Sequence, residues 1–478
     1  MGTDINFNKS LGRTYGTYIG LPSVSYDPAS IAYFTATGIT GATQKSAIDN
    51  LVKGLKADGL WSKMKAVYPF VTDNRNLFSY TEDFSDAYWT KSALSITTNA
   101  TTAPDGTLTA DKAIPAASTG AHDLSKLLTR TSGSYTATIS IYAKQAEDKY
   151  FCLSLQDAIG GLGITFDVSA GTVSTPTSTY GTGWSEVSNS ITSVGNGWFR
   201  ITYTATTTNA TTQLTGLYRP GNIPNLFGGS TGNGVNGVFV WGTQLEAGST
   251  ATLYQPILTT QQSYISNQFK YNLVNPLDTD AAFRLTFAGG WTHASTGATP
   301  NGVNAYANTF LTPSVSLVDA SLSYYSRTST VENGTGDANG IVIGVREGAA
   351  NNTLQLRVKS NPSNFNDFMY TKSGTSSNNL GRAVDSSGLG LFSGALDATS
   401  SKIYKNGVNI TTSNLSYTRS TPALPLYIGS LNNKGVSAEY TLKESAFAHI
   451  GDTLNATEMA NLYTRVQAYQ TALNRQIP

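Results

Sequence analysis

The residues best suited to chemistry in this sequence are aromatic and basic side chains in segments rich in turn-forming residues. Tyr180, Trp184 and Tyr218 lie among Gly, Ser and Thr, and Arg219 follows the last of them. Exposed rings in such a setting can stack on a sugar, and an arginine can donate hydrogen bonds to it. The alternative is that these rings fill a hydrophobic core. We predict Tyr180, Trp184, Tyr218 and Arg219 as glycan-binding candidates.

The carboxylates are not spaced for glycoside hydrolysis, which needs a pair of them on either side of the scissile bond. The strand patterns Glu-x-Asp-x-Glu and Glu-x-Asp-x-x-Glu are absent from the sequence. Asp278 and Asp280 alternate, and we expect them to cap the turn before the next strand. The adjacent pairs Glu82-Asp83 and Glu147-Asp148 would point to opposite faces of a strand, and we expect them to be solvated. The sequence therefore predicts a protein that is not an enzyme.

Metal-binding and cofactor-binding patterns are also missing. The three histidines lie far apart: His122 is expected in a surface loop, His293 in a structural or surface role, and His449 between a sandwich and the final helix. Cys152 is the single cysteine, predicted to be a buried thiol, so an internal disulfide is excluded. Residues 232–237 match Gly-x-Gly-x-x-Gly, but a β pattern follows them where a dinucleotide site needs a helix. We predict no cofactor; a structural calcium held by Asp, Asn and backbone oxygens stays open.

Composition and charge narrow the classes of partner. The chain has 31 Lys and Arg against 30 Asp and Glu, a net charge of +1. Nucleic acids and anionic membranes are bound through concentrated basic charge, so we expect neither partner. No apolar run is typical of a signal peptide or reaches the length of about 20 residues that spans a membrane. We expect a protein made in soluble form inside a cell, without membrane insertion.

Apolar spacing predicts the elements that hold these side chains. Residues 1–35 show no period and are predicted to form an irregular arm that orders only on a partner. From Thr40 to Pro69, apolar residues at three- and four-residue spacing predict a helical segment that Gly59 breaks or bends. Two sets of β-branched and aromatic strands follow, over residues 76–262 and 272–448.

Two local signals are specific. Asn406-Gly407 between strand-like runs predicts a tight hairpin. Asn455 followed by Glu458 is a capping box, which predicts the start of a final helix. The apolar stripe of that helix could form a coiled-coil seam, but at two heptads we favour packing on the adjacent sandwich.

Several segments resemble phage structural proteins that carry a concanavalin A-like, or laminin G-like, lectin domain. The segments that carry this resemblance are Ala42 to Tyr68, 272–285 (NLVNPLDTDAAFRL), 289–293 (GGWTH), 301–307 (NGVNAYA) and 446–452 (AFAHIGD). The stretch between them resembles the jelly-roll carbohydrate-binding-like modules of phage tail proteins, through 76–85 (NLFSYTEDFS), Tyr88-Trp89 and 240–248 (VWGTQLEAG).

The resemblance implies a mainly β protein with two antiparallel β-sandwiches, an N-proximal helical segment and a C-terminal helix. The irregular residues 1–35 are our candidate for the element that anchors the chain to the virion, because such an arm orders only on a partner. The resemblance implies a helical segment of the lectin-like domain at 36–72. An inserted jelly roll would occupy 73–262, and the concanavalin A-like domain with its final helix would occupy 263–478. An insertion is reasonable because the two ends of a jelly roll often lie close together.

The function implied is that of a non-catalytic component of the virion surface, a tail fibre, adhesin or head fibre, which binds host cell-surface polysaccharide. Its other partners would be virion proteins, in a homo-oligomer, by analogy a trimer, assembled in the host cytoplasm. The alternative is a decoration or assembly protein without glycan binding. A glycan-degrading enzyme is the least favoured hypothesis.

Overall fold

The computed structural model describes residues 25–329, 340–348, 352–360, 365–371, 381–385, 387–397, 400–412 and 421–477. The chain is mainly β, with almost entirely antiparallel sheets that form sandwiches, helices near the start of the described range and a helix at its end. This confirms the fold class expected from the sequence. None of the helices in the described ranges is both long and apolar enough to cross a lipid bilayer.

The first elements are two helices and a strand. They are α1 (Pro28–Thr37), α2 (Ala42–Ala57) and β1 (Met64–Tyr68). Helix α1 begins within residues 1–35, so the prediction of an irregular arm is wrong from Pro28 onward. Residues 1–24 lie outside the described residues. Asp27 caps α1, its Oδ1 accepting a hydrogen bond from the Ala29 amide at 2.9 Å, and Gly38 ends it at φ 71°.

The predicted helical segment ends earlier than expected. Helix α2 buries the apolar face that includes Ile48, Leu51 and Leu55, but Met64–Tyr68 is a strand and not a helix. Strand pairing explains the difference, because β1 is hydrogen-bonded along Ser445–Gly451. Short apolar runs fit both periods, so tertiary pairing decides between them.

Residues 73–262, all of them described, hold the next set of strands. These are β2 (Thr90–Ser92), β3 (Leu94–Thr101), β4 (Ala110–Pro115), β5 (Thr119–Gly120), β6 (Asp123–Thr129), β7 (Tyr135–Gln145), β8 (Tyr150–Gln156), β9 (Gly160–Asp167), β10 (Thr172–Gly181), β11 (Trp184–Gly195), β12 (Trp198–Thr207), β13 (Gln213–Gly221), β14 (Ser230–Thr231) and β15 (Val238–Ala247).

Twelve of these strands form a first sandwich of two six-stranded sheets, and β5 and β14 pair as a separate two-stranded sheet. One sheet has the order β10-β9-β8-β13-β6-β2 and the other β11-β12-β7-β15-β4-β3. Both contribute inward-facing side chains to a single core, among them Leu153 and Ile164 from one sheet and Ile139 and Tyr203 from the other. Alternation along each strand therefore leaves every second side chain on an outer face.

The remaining elements follow residue 260. They are α3 (Gln261–Phe269), β16 (Thr286–Ala288), β17 (Trp291–Ala294), β18 (Gly297–Pro300), β19 (Tyr306–Asn308), α4 (Pro313–Ser316), β20 (Ser321–Ser326), β21 (Ile341–Glu347), β22 (Asn352–Ser360), β23 (Phe365–Thr371), β24 (Gly381–Val384), β25 (Gly390–Asp397), β26 (Ser400–Lys405), β27 (Val408–Asn409), β28 (Tyr427–Ile428), β29 (Leu431–Asn433), β30 (Val436–Ala438), β31 (Ser445–Gly451) and α5 (Ala456–Ala472).

In the described part of the chain these strands form a second sandwich. One sheet contains β17, β18, β31, β20, β25, β26 and β27, with β1 paired to β31, and the other is built on β16, β19, β28, β21, β22, β23 and β24. Helices α1, α2 and α5 pack on the outer face of the first of these sheets. Helix α5 thus covers the sandwich as predicted, and its capping box is present, with the Asn455 side chain accepting from the Glu458 amide at 3.0 Å.

The Asn406-Gly407 hairpin is also confirmed. Lys405 pairs with Val408, and the two turn residues have φ of 49° and 76°. Positive φ at both central positions is what a type I′ turn requires, and Asn and Gly tolerate it best.

The two ends of residues 73–262 lie side by side. The Gln255 side chain donates to the Asp73 carbonyl at 2.9 Å and accepts from the Arg75 amide at 2.9 Å. The domain bounds stay a prediction, and the predicted border at 262/263 falls inside α3. Ile265 and Phe269 of that helix belong to the core of the second sandwich.

Candidate functional site

Strand alternation separates two of the predicted site residues. Tyr218 and Arg219 are neighbours in β13 and therefore lie on opposite faces of its sheet. Tyr218 has no exposed surface, its ring packs near Trp89 and Phe151, and its hydroxyl is hydrogen-bonded to Thr243. Burial raises the pKa of Tyr218 well above its ordinary value. The prediction of an exposed Tyr218 ring is wrong, because this face of β13 is the core of the sandwich.

Arg219 lies on the outer face and is held in a fixed direction. Its Nε donates to Asp123 Oδ1 at 2.5 Å, across from it on β6, and one terminal nitrogen donates to the Phe227 carbonyl. The guanidinium carbon lies 5.9 Å from the centroid of the Phe227 ring. The loop between β13 and β14 thus brings the Phe227 side chain, which was not among the predicted site residues, to Arg219.

Tyr180 meets the same aromatic side chain from the other side. Its ring is 44% exposed, and its centroid lies 6.2 Å from that of Phe227, with the ring planes 36° apart. We call Tyr180, Phe227, Arg219 and Asp123 the aromatic patch. It occupies the outer face of the β10-β9-β8-β13-β6 sheet, and it unites two of the four predicted residues.

Two glycines in β9 allow the rings to rest on the sheet. A Cβ at Gly161 would lie 2.7 Å from the Tyr180 ring, and one at Gly163 would lie 2.4 Å from the Phe227 ring. Alternate residues of a strand share a face, so both glycines lie under the patch. Glycines within a strand often mark a close approach of another group. This was the signal in the sequence that could have pointed to the patch and to Phe227.

The Tyr180 hydroxyl is positioned at the rim of the patch. It lies 3.2 Å from Gln156 Oε1 and 3.3 Å from the Asp157 carbonyl. Burial and then the negative charge of Asp157 raise the pKa of Tyr180. The phenol is therefore a neutral hydrogen-bonding group at neutral pH.

Trp184 has a different surrounding from Tyr180. It is half-buried against the core, and its Nε1 donates to Asp157 Oδ2 at 3.0 Å. Asp157 also accepts from the amides of Ile159 and Gly160 and from the Asn209 side chain. Burial would raise the pKa of Asp157, but these hydrogen bonds together outweigh it and hold the pKa below its ordinary value. Trp184 thus fixes the β10–β11 turn next to Tyr180, and glycan binding by Trp184 stays a prediction.

The acidic residues have partners that the sequence did not indicate. Asp278 and Asp280 form ion pairs, Asp278 with Lys270 at 2.6 Å and Asp280 with Arg284 at 2.9 Å, rather than capping the turn. Hydrogen bonding from Lys270, which outweighs partial burial, lowers the pKa of Asp278. Both carboxylates are therefore engaged as anions in salt bridges.

The adjacent acidic pairs are less solvated than predicted. Glu82 is half-buried and accepts from the Tyr254 hydroxyl at 3.0 Å, and Asp148 is buried. Glu82 lines a cleft of about 350 Å³ with Asp83 and Asp111, and burial raises the pKa of Asp111 to about 6. Each Asp111 oxygen accepts a backbone amide, which indicates a structural role. Among the described residues, no three Asp, Glu, His or Cys are grouped to hold a metal ion.

The histidines and Cys152 are buried. His122 lies in the loop between β5 and β6, but it is buried and not at the surface as predicted, and its Nδ1 lies 2.7 Å from the Ala93 carbonyl. His449 lies within β31, and its Nδ1 lies 3.3 Å from the Ser323 hydroxyl oxygen. His293 is 5% exposed. Cys152 is a buried free thiol, as predicted, and burial raises its pKa to about 12. Residues 232–237 connect β14 to β15, so no helix follows the glycine motif.

No protein-family model and no curated protein matches this sequence. Among solved structures, a mutant of Trypanosoma rangeli sialidase displaying trans-sialidase activity is similar over 42% of this chain and 31% of its own, at 12% identity and a TM-score of 0.29.

Domain 4 of AbnA, a GH43 extracellular arabinanase from Geobacillus stearothermophilus in complex with arabinotriose, is similar over 37% of this chain and 80% of its own, at 15% identity and a TM-score of 0.25. Domains LG4-5 of the mouse laminin alpha1 chain are similar over 71% of this chain and 90% of their own, at 12% identity and a TM-score of 0.22. At these identities and scores the likenesses carry no argument about the function of this chain.

Proposed function

We propose that this protein is a component of a bacteriophage virion surface that binds host cell-surface glycans through the aromatic patch without cleaving them. The observation that carries the binding proposal is the pairing of an exposed Tyr180 ring with Phe227 and the fixed Arg219–Asp123 ion pair. The phage origin comes from the sequence resemblance alone.

The chemistry of the patch suits a sugar ring. A pyranose has an apolar face of C–H groups that stacks on an aromatic ring, and hydroxyls at its edge that exchange hydrogen bonds with polar side chains. Tyr180 and Phe227 offer rings, while Asp123 accepts and Arg219 donates. Because β9 carries glycines under the rings, both rings can rest directly on the sheet.

The non-catalytic part of the proposal follows from the state of the carboxylates. The Asp123 carboxylate forms an ion pair with Arg219, and the buried Asp157 carboxylate accepts hydrogen bonds from neighbouring groups, including the Trp184 indole. A hydrolase needs one carboxyl group as an acid and a second as a nucleophile or base.

Binding at one patch would be weak, and repetition in a homo-oligomer, by analogy a trimer, would strengthen it on the particle. Other virion proteins would be the assembly partners, met in the host cytoplasm.

The test compares variants of the patch on a glycan array and on host polysaccharide. We expect Tyr180→Ala and Phe227→Ala to lose most of the binding, because each removes one ring of the platform. Val187→Ala is the matched control, since Val187 is an exposed apolar residue on the other sheet, and its binding should equal that of the wild type. Equal binding by all four proteins would refute the role of the patch.

The second candidate function is assembly without glycan binding. Strand β11 is the edge of its sheet, and ten of its twelve residues are exposed. A long exposed edge offers unpaired backbone groups to a neighbouring chain. A folded wild-type protein that binds no glycan on the array or the host surface would favour this alternative.

A further inference from the structure

Five asparagines in the described part of the chain are followed directly by glycine. They are Asn196, Asn233, Asn236, Asn301 and Asn406. An Asn-Gly step is chemically labile, because the glycine nitrogen can attack the carbonyl carbon of the asparagine side chain with no side chain of its own in the way. In a folded protein the attack also requires that the asparagine side chain and the backbone can rotate. The contacts of each site therefore decide its reactivity.

Three of these side chains are held by hydrogen bonds to backbone amides. Asn233 Oδ1 accepts from two amides that follow it, at 2.9 and 2.8 Å. Asn301 Oδ1 accepts from three amides that follow it, at 3.0 to 3.2 Å. Asn406 Oδ1 accepts from the Leu391 amide at 2.9 Å. These bonds must break before the side-chain carbonyl carbon can meet the glycine nitrogen.

At Asn236 the following glycine is the group that is held. The Gly237 amide donates to Glu147 Oε2 at 3.2 Å, and Gly237 is buried. A Cβ on Gly237 would lie 2.2 Å from the Ala113 carbonyl oxygen, so the backbone at this glycine has no room to turn. The nitrogen that would attack Asn236 is therefore fixed in place.

Asn196 differs from the other four asparagines. It lies with Gly197 in the two-residue turn between β11 and β12, and both residues are exposed. The Asn196 side chain makes no hydrogen bond to another residue in the described part of the chain. A Cβ on Gly195 would have open space around it, and one on Gly197 would meet only the Lys144 side chain, at 3.4 Å or more. The side chain is thus free, and the turn has room to rearrange.

Asn406 provides a matched comparison, because its turn has the same backbone conformation. The φ angles are 53° and 78° at Asn196 and Gly197, and 49° and 76° at Asn406 and Gly407. A Cβ on Gly407 would lie 2.9 Å from the Ala460 Cα in α5, so this second turn is packed against a helix. The two turns therefore differ in side-chain anchoring and in packing, and not in conformation.

We propose that Asn196 is a site of spontaneous deamidation in the folded protein. The Gly197 nitrogen gives its proton to solvent and bonds to the carbonyl carbon of the Asn196 side chain. The side-chain nitrogen leaves as ammonia, which completes a five-membered succinimide ring. Water then opens the ring at either carbonyl and gives aspartate or isoaspartate. The net reaction consumes one water molecule and releases one ammonia, without an oxidant or a reductant.

The two products have different effects on the hairpin. Aspartate leaves the main chain unchanged and adds a negative charge. Isoaspartate adds a main-chain carbon to a two-residue turn, which disturbs the pairing of Gly195 with Trp198. Trp198 cannot follow the turn outward, because it is buried and its indole donates to the Thr102 carbonyl at 3.1 Å. Isoaspartate therefore weakens the pairing of the edge strand β11 with β12.

The test is peptide mass spectrometry of the full chain after incubation at mildly alkaline pH, with fragment spectra that locate each changed residue. Asn406 is the internal control. We expect Asn196 to convert at least about fivefold faster than Asn406, because a hydrogen bond must first break at the anchored site. In urea the folded contacts are lost, and the two sites should convert at similar rates.

Equal conversion of Asn196 and Asn406 in the folded chain would overturn the inference. An Asn196 that stays intact in the folded chain but converts in urea would do so too. A difference of the same size in urea would assign the effect to the flanking sequence and not to the fold. The inference does not depend on glycan binding, because this turn joins strands of the sheet that does not carry the aromatic patch.

Discussion

Replacing Asp157 by alanine is expected to destabilise the first sandwich strongly. The Asp157 and Arg130 side chains are 0% and 1% exposed, with Oδ2 and Nη2 3.4 Å apart. Removing one member of a buried ion pair usually costs about 3–5 kcal/mol, because the other charge stays buried without its partner. The Trp184 indole and two backbone amides would lose their acceptor as well.

The magnitude is limited by the other bonds of Arg130. Its nitrogens also donate to the carbonyls of Thr131, Gly133, Asn209 and Gln213. Most of its N–H groups therefore stay paired when the carboxylate is removed, and the main loss is of the counter-charge. We expect a cost in the free energy of unfolding of about 3–5 kcal/mol for Asp157→Ala and not more.

The assay is urea unfolding at neutral pH followed by tryptophan fluorescence. Asp83→Ala is the control, because Asp83 is exposed and accepts only local hydrogen bonds in its turn; its cost should be about 1 kcal/mol or less. The pKa of Asp157 is lowered, so its stabilisation is present above pH 3.8 and is lost as the pH falls through the folded pKa. A cost for Asp157→Ala no larger than that for Asp83→Ala would refute this reasoning.

Three further predictions concern other parts of the molecule. Gly163→Val should displace the ring that rests on it, with loss of glycan binding and a cost of about 1–3 kcal/mol, whereas Gly228→Ala, with open space around it, should bind as the wild type does. Gly407→Ala should destabilise the protein more than Gly59→Ala in chemical unfolding, because both have positive φ but only Gly407 also approaches the final helix. Burial lowers the pKa of His293 to about 4, so the unfolded chain binds more protons and stability should fall from about pH 6.5 to 4. His293→Gln should flatten that part of the stability profile, and an unchanged pH dependence would contradict the assignment.

The sequence by itself determined the elements whose signals lie within a few residues. The capping box Asn455–Glu458 and the turn Asn406-Gly407 formed as predicted, because each is stabilised by contacts between near neighbours. Helix α1 carries a similar local signal, since Asp27-Pro28 precedes the helix and Gly38 follows it.

Only the tertiary structure decided which face of a strand became the core. Alternation separates Tyr218 from Arg219, but the packing of the second sheet put Tyr218 inside and Arg219 outside. In the same way, Met64–Tyr68 became a strand because a partner far along the chain pairs with it. Phe227 joined the aromatic patch through a loop. Local sequence carries no record of such long-range neighbours, so the fold alone decided which of the four candidate side chains lie at the surface of the first sandwich.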